Sequence, residues 1–245
     1  MQVCIAHLYP ELMNLYGDRG NVIALERRAA WRGWEVEMRR VGLGDPFDLG
    51  EADLIFLGGG EDRSQQLIFR DLLEEKAASL RRAVEQGAAV LAICGGYQLL
   101  GRHYRPAQGD EIPGLGLLDA HTEAGERRLI GDVVAESPPL GGATLVGFEN
   151  HSGRTFLGEG VTPLARVRAG FGNNGEDGTE GAVWRGVVGT YLHGAVLPKN
   201  PALADYLLRR AMEHRAGRPV ELSPLDDAAE ERAHRALLHR PGGRR

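Results

Sequence analysis

Val90-Leu91-Ala92-Ile93-Cys94-Gly95-Gly96-Tyr97-Gln98-Leu99-Leu100-Gly101 decides how this chain is read. Its first four residues form an unbroken apolar run, the mark of a strand buried on both faces of a parallel sheet. Two glycines follow Cys94 at once, and Tyr97 to Leu100 open a short helix. A strand that turns sharply into a helix presents one side chain at its C-terminal end, and the glycines leave room around it. The helix N-terminus beyond favours a thiolate electrostatically, and its backbone N–H groups can donate to an oxyanion. A free cysteine is more often a small core residue. The Gly-Gly turn is what makes Cys94 the candidate nucleophile. Cys4 lies in the middle of QVCIAHL (2–8) with no such turn, and reads as structural.

The same alternation extends outward. ADLIFLGGG (52–60) is a second buried run, and EVEMRRV (35–41) alternates like a half-buried strand. In the segment NLYGDRGNVIALERRAAWRG, the Asn21-Val22-Ile23-Ala24-Leu25 start and the Ala-rich middle read as a helix stopped at Gly33. Residues 63–86 read as another, with Leu67, Leu72, Leu73, Leu80 and Val84 as core positions. Strands alternating with helices predict an α/β fold with a mainly parallel sheet. In the second half, RLIGDVVAES, ATLVGFEN, TPLARVRAG and GAVWRGVVGTYL are short strands split by Gly, Pro and Asn. They are expected as an antiparallel extension of the same sheet. Residues 200–216 read as a returning helix with Leu203, Tyr206, Leu207 and Met212 on one face. From Asp226 the tail is charged, Ala-rich and helical, fraying into PGGRR. No Ser/Pro-rich linker divides the chain, so one domain over 1–216 and a charged helical tail over 217–245 are expected.

Composition narrows the function classes. The chain has 245 residues, a formal net charge of −5 and 42% hydrophobic residues, which excludes intrinsic disorder. No apolar run approaches the roughly 18–20 residues of a membrane span. The N-terminus has no charged region before its short apolar stretch, so a cytoplasmic location is expected. A pI near 5.9 argues against a nucleic-acid footprint. The 2 cysteines cannot make a disulfide framework or a four-thiolate zinc site, and neither metal nor cofactor is expected. Lysine occurs only at Lys76 and Lys199. Neither follows a glycine, so no P-loop is present. If the reaction consumes ATP, another chain must handle it.

A cysteine nucleophile needs a base. His193, in Gly189-Thr190-Tyr191-Leu192-His193-Gly194, also follows an apolar run and precedes a glycine. Imidazole suits the task because it titrates near working pH. Only folding can bring these two distant residues together. His151, in GFENHSGRT, is the one rival. The turn Gly58-Gly59-Gly60-Glu61-Asp62 ends a buried strand, and its amides can approach a ligand closely. It could complete an oxyanion hole with the amide of Gly95. Phosphate binding is the competing reading, but the glycine spacing of phosphate loops is missing.

The motifs GGGED, AICGGYQLLG, GFENHSGRT and GTYLHG, in this order, resemble class I (triad-type) glutamine amidotransferases. The likeness is closer to the cobyric acid synthase type (CobB/CobQ). With LYPELMNLYGDRGN, the chain is similar to the glutaminase subunits of lipid II isoglutaminyl synthase, and the match covers roughly residues 1–215. This resemblance implies a flavodoxin-like three-layer fold. It implies that Cys94 attacks the side-chain amide of L-glutamine and that His193 activates it and protonates the departing ammonia. Gly59 or Gly60 and Gly95 would hold the oxyanion, and Gln98 would help hold the substrate. Arg128, or its neighbour Arg127, would bind the glutamine carboxylate, as a guanidinium can do bidentately. GFENHSGRT is expected to line the site, with no role yet for Glu149, Asn150 or His151.

One position departs from the class. Triad enzymes usually carry Glu two residues after the histidine, and here that residue is Ala195. The site therefore reads as a dyad or an incomplete triad. The resemblance implies a Mur-ligase-like partner that supplies the third acid, binds ATP and lipid II, and uses the ammonia for peptidoglycan synthesis. A cobyrinate-type acceptor, or a non-catalytic binding module on the same fold, are the alternatives.

Overall fold

A computed structural model of the chain describes residues 1–238, so the PGGRR end of the tail lies outside the described residues. The first half runs β1 (Gln2–Leu8), α1 (Arg19–Trp31), β2 (Glu35–Val41), β3 (Leu54–Leu57), α2 (Asp62–Arg70), α3 (Ala77–Gln86), β4 (Ala89–Ile93) and α4 (Gly95–Leu100). The second half continues β5 (His103–Arg105), β6 (Ile112–Pro113), β7 (Ala120–Ser137), β8 (Ala143–Leu157), β9 (Ala165–Ala169), β10 (Thr179–Glu180), β11 (Ala182–Trp184), β12 (Val187–Thr190), α5 (Pro201–Ala216) and α6 (Ala228–Leu238).

The expected parallel sheet forms, in the order β11-β12-β4-β3-β1-β2. All its pairings are parallel except the edge pair β11–β12. The continuous apolar runs are the reason: β3 and β4 are buried at every residue. Leu54, Ile55, Phe56 and Leu91 are wholly inaccessible. Side chains of this size each contribute about 1.5–3 kcal/mol when removed from water. Helix α5 lies on β1, β3 and β4 and packs beside α1. Its Leu203, Leu207 and Met212 are buried as the periodicity predicts, with Tyr206 partly covered.

Two expectations about elements are corrected. Residues 63–86 do not form one regular helix, because a wider π-type turn, Asp71–Lys76, separates α2 from α3. Asp71 anchors that turn. Its carboxylate accepts from the Tyr9 hydroxyl at 2.7 Å and the Gly44 amide at 2.8 Å, and pairs with buried Lys76 at 3.1 Å. Leu67 is 54% exposed rather than in the core, while Leu72, Leu80 and Val84 are buried. In the second half, only β11 extends the parallel sheet in the antiparallel sense. The other strands make a separate sheet, β10-β9-β7-β5-β6, with β8 on β7. The reason is length: β7 has 18 residues and β8 has 15, and they pair with each other along nearly their whole extent. Isolated bridges join this sheet region to the first, and one of them, Phe148 to His193, delivers β8 to the strand ends described below.

At the opposite ends of the strands, Asp53 is buried and accepts from the Cys4 amide at 2.8 Å. It also meets His214 Nδ1 at 3.0 Å and Arg215 at 2.8 Å. Burial alone would push this carboxyl up. The bonds from His214, the Cys4 amide and Arg215 outweigh it and hold the carboxyl below its ordinary range. Cys4 itself is buried and pushed up to about 11, chiefly by desolvation, which suits a structural thiol. The tail turns back onto the body: Arg28 pairs with Asp205 and Asp227, and His234 bonds the Lys199 carbonyl at 2.7 Å. Among the described residues no helix is long and apolar enough to cross a membrane.

Candidate active site

Strands β4 and β12 lie side by side and parallel, with Thr190 in register with Ile93. The amide of Cys94 donates to the Thr190 carbonyl at 2.8 Å, so the ladder continues to the last residue before the turn. The two candidate residues, far apart in sequence, therefore leave neighbouring strands at the same end. Cys94 adopts φ +48°, ψ −105°, a conformation that L residues rarely occupy and that persists only where its surroundings enforce it. Gly95 is what makes the turn compatible with the loop after β3. A Cβ atom there would stand 2.7 Å from the Gly60 carbonyl oxygen and 3.1 Å from its nitrogen.

The turn opens into a cavity of about 660 Å³, lined among others by Gly60, Cys94, Gln98, Arg128, Asn150 and His151. His193 stands beside Cys94, behind the Gly59 turn. A Cβ atom on Gly59 would lie 2.8 Å from His193 Cε1 and 3.6 Å from Cys94 Cβ. His193 is fully buried, with the Tyr16 ring set edge-on at 4.9 Å between centroids. Burial opposes the charge on the imidazole, but Cys94 and Asp18 outweigh it and raise His193 above the ordinary imidazole range. This arrangement suits proton transfer between thiol and ring.

The expectation of a site with no acid of its own is corrected. Ala195 does follow His193 where an acid was looked for, yet Asp18 Oδ1 stands 3.6 Å from His193 Nδ1. Asp18 is fully buried, and its Oδ2 accepts from the Gly59 amide at 2.7 Å. That bond also separates the two glycines expected to share one role. The Gly59 N–H is committed to Asp18.

The neighbouring arginines are also told apart. Arg128 reaches the cavity, and Asn150 grips it there by Oδ1 to Nε at 2.8 Å and by its carbonyl to Nη2 at 2.9 Å. Arg127 turns away, its guanidinium over the Phe171 ring at 5.8 Å. Gln98 is buried on the cavity wall. Its Oε1 accepts from Gln65 at 2.9 Å and its Nε2 donates to the Tyr191 hydroxyl at 3.2 Å. Those bonds fix the carboxamide as part of a rigid wall.

His151, the rival to His193, lines the cavity without replacing it. Its ring is stacked on Tyr191 at 3.7 Å, and Nδ1 donates to the Gly153 carbonyl at 2.7 Å. Glu149 is buried behind the wall, accepting from the amides of Phe171 and Gly172 at 2.7 and 2.8 Å and standing 3.6 Å from His151 Nε2. Asp18, Tyr16 and Gln65 are the residues of the site that sequence reasoning missed. The signal for Asp18 was an acid between glycines in LYGDRGN, a motif noticed as a whole and not residue by residue.

Comparison with known proteins agrees with this geometry. Residues 4–201 match the model of the CobB/CobQ-like glutamine amidotransferase domain. The chain is 44% identical over 239 residues to the lipid II isoglutaminyl synthase (glutamine-hydrolyzing) subunit GatD of Staphylococcus aureus, covering 98% of this chain and 96% of that protein. It is 41% identical to the subunit of the same name from Streptococcus pneumoniae, covering 92% and 86%. A crystal structure of a glutamine amidotransferase from Thermotoga maritima superposes with a TM-score of 0.57 at 18% identity, covering 96% of this chain and 93% of that one, and so shares the fold. With a nucleophile elbow facing a buried histidine, and a family match over most of its length, the chain belongs to the CobB/CobQ-like glutamine amidotransferases.

Proposed function

We propose that this chain is the glutamine-hydrolysing subunit of a lipid II isoglutaminyl synthase. It releases ammonia to a Mur-ligase-like partner, which binds ATP and lipid II and amidates the α-carboxylate of the D-glutamate residue. The observation that carries the reading is the meeting of Cys94 and His193 at neighbouring strand ends. It is supported by near full-length likeness to two subunits so named.

The chemistry follows from the geometry. His193 takes the thiol proton, and Cys94 Sγ attacks the carboxamide carbon of glutamine, forming a C–S bond and an oxyanion. The amides of Gly60 and Gly95 receive that oxyanion. Its collapse breaks the C–N bond, and His193 gives its proton to the leaving nitrogen, which departs as ammonia. Water, deprotonated by His193, then attacks the γ-glutamyl thioester, and glutamate leaves as the thiol is restored. Arg128 holds the substrate α-carboxylate, and Gln98 shapes the wall beside it. Residues 1–216 form the amidotransferase domain, and beyond them lies the charged tail, described to residue 238 and helical over Ala228–Leu238. The reaction takes place in the cytoplasm, where glutamine and ATP are at hand.

Glutamate release from glutamine tests the nucleophile. Wild type is expected to turn over and Cys94→Ala to fall to background; undiminished turnover by the variant would overturn the assignment. Mixing the chain with a Mur-ligase-like protein, ATP, glutamine and lipid II tests the acceptor. Lipid II that stays unamidated while glutamate is released would remove it.

A further inference from the structure

We propose that the outer edge of β2 is the docking surface for a second copy of this chain, the two β2 strands pairing antiparallel about a two-fold axis at Met38. The inference is independent of the chemistry assigned to Cys94.

The parallel sheet ends in two unlike edges. At one, β11 is 3 residues long and its Val183 is bridged to Thr162, so little of it is open. At the other, β2 runs for 7 residues in unbroken register with β1, and no described strand pairs with its far side. The Glu35 amide donates to the Met1 carbonyl at 2.9 Å, and the Val41 carbonyl accepts from the Tyr9 amide at 2.7 Å. The odd-numbered residues of β2 thus turn their backbone groups to β1, and those of Val36, Met38 and Arg40 point outward. An open edge is a template for another strand, and proteins blunt it with proline, a bulge or lysines. β2 carries none of these, and its charges come in both signs.

Charge decides what fits the template. β2 reads Glu35-Val36-Glu37-Met38-Arg39-Arg40-Val41, acidic in its first half and basic in its second, so it complements its own reverse. A dyad at Glu37 would oppose that acid to itself, and a dyad at Arg39 would do the same to the arginine. A dyad at Met38 sets Glu37 of each copy opposite Arg39 of the other and keeps the whole strand paired. Glu37 and Arg39 then form the non-hydrogen-bonded pair, in which cross-strand side chains stand closest. Within one copy these two side chains already pair with each other, and at 36% and 53% exposure they are free to exchange partners. Apolar surface collects along the same edge. Met1, beside the start of β2, is 66% exposed, and Leu43, just past its end, is 51% exposed. The dyad brings Met1 of one copy toward Leu43 of the other. On the α1 side, Met38 and Arg40 share a groove of about 150 Å³ with Val22 and the exposed Ile23.

Sedimentation equilibrium of the full chain over a concentration series is expected to show a species of twice the 26.6 kDa chain mass. Glu37→Arg and Arg39→Glu each set like charges across the dyad, and each is expected to weaken the dimer about tenfold or more. The double variant Glu37→Arg/Arg39→Glu restores opposite pairs and is expected to recover it, which damage to the fold would not allow. Met38→Cys is expected to form a disulfide with its counterpart on oxidation, since hydrogen-bonded antiparallel residues stand about 5.5 Å apart at Cα, within disulfide reach. Val36→Cys lies opposite Arg40 and is expected to stay uncross-linked. Both native cysteines are buried, so the wild-type chain is the control. Glutamate release should match wild type throughout, because none of these residues lines the cavity beside Cys94. A chain that sediments as a monomer at every concentration, single reversals that leave the dimer intact, or cross-linking through Val36→Cys in place of Met38→Cys would each overturn the proposal. So would a monomeric chain whose Glu37→Arg variant loses a Mur-ligase-like subunit, which would assign the edge to that protein.

Discussion

Asn150 holds Arg128 at two points, accepting from Nε through its side chain and from Nη2 through its backbone carbonyl. Its own Nδ2 donates to the Tyr16 hydroxyl at 2.6 Å, so the guanidinium is tied to the loop that also shields His193.

Arg128→Ala is expected to raise the KM for glutamine about 30- to 100-fold, the loss of a charge-assisted pair of bonds. Arg128→Lys should recover little of it, because an ammonium cannot be held in the Asn150 fork. Asn150→Ala should raise KM about tenfold and leave kcat within about threefold. Steady-state kinetics on glutamine check all three. An unchanged KM in Arg128→Ala would remove the residue from the carboxylate site.

Gly95→Ala forces a methyl against the Gly60 carbonyl at 2.7 Å, backbone against backbone, so neither side can yield by rotating a side chain. The two amides assigned to the oxyanion must separate. The expected result is a kcat loss of about 10²-fold or more with a stability loss of about 1–3 kcal/mol, read by glutamate release and a urea melt. Full activity would show that the two turns need no such approach.

Glu180 gives a pH dependence with a definite sign. It is fully buried, and desolvation pushes it up to about 7, although bonds from Thr190 and the Tyr191 amide oppose the rise and nearby Glu149 adds to it. A carboxyl raised on folding binds its proton more tightly in the native state, so it lowers stability as pH rises from its unfolded value to its folded one. The penalty is absent below about pH 4.5, complete above about pH 7, and on the order of 3 kcal/mol. Glu180→Gln is expected to gain most of that at pH 8 and nothing at pH 4, measured by urea unfolding at both. Equal effects at the two pH values would sink the assignment.

Asp53 has the opposite sign. Its carboxyl is held below the ordinary range, so its contribution is present above the unfolded value and is lost as pH falls through the folded one. Asp53→Asn leaves His214 and Arg215 without their shared partner, and is expected to lower stability by about 2 kcal/mol at pH 7. The difference from wild type should shrink as both are titrated toward pH 2. A constant difference across that range would mean the loss is steric.

The legible part of this fold was its parallel half. Leu54 to Leu57 and Ala89 to Ile93 are apolar at every position, and such runs have few other ways to be buried. The second sheet was misjudged because Gly131, Gly147 and Gly153 look like breaks, whereas each lies inside a long strand. Leu67 was misassigned because it was grouped with the other leucines, although at about 100° per residue it lies some 140° around the helix from Leu72.

What the sequence by itself determined is local: a strand, a cysteine and two glycines make a nucleophile elbow, and a histidine after an apolar strand makes a candidate base. Such motifs are short-range in backbone geometry, so neighbouring residues suffice to specify them. Which glycine amide Asp18 takes up, which arginine reaches the cavity and which acid stands beside His193 were decided by tertiary structure alone. Asp18 meets Gly59 and His193 across three separate loops, and only packing, with the burial that makes a lone carboxylate so unfavourable, selects those partners.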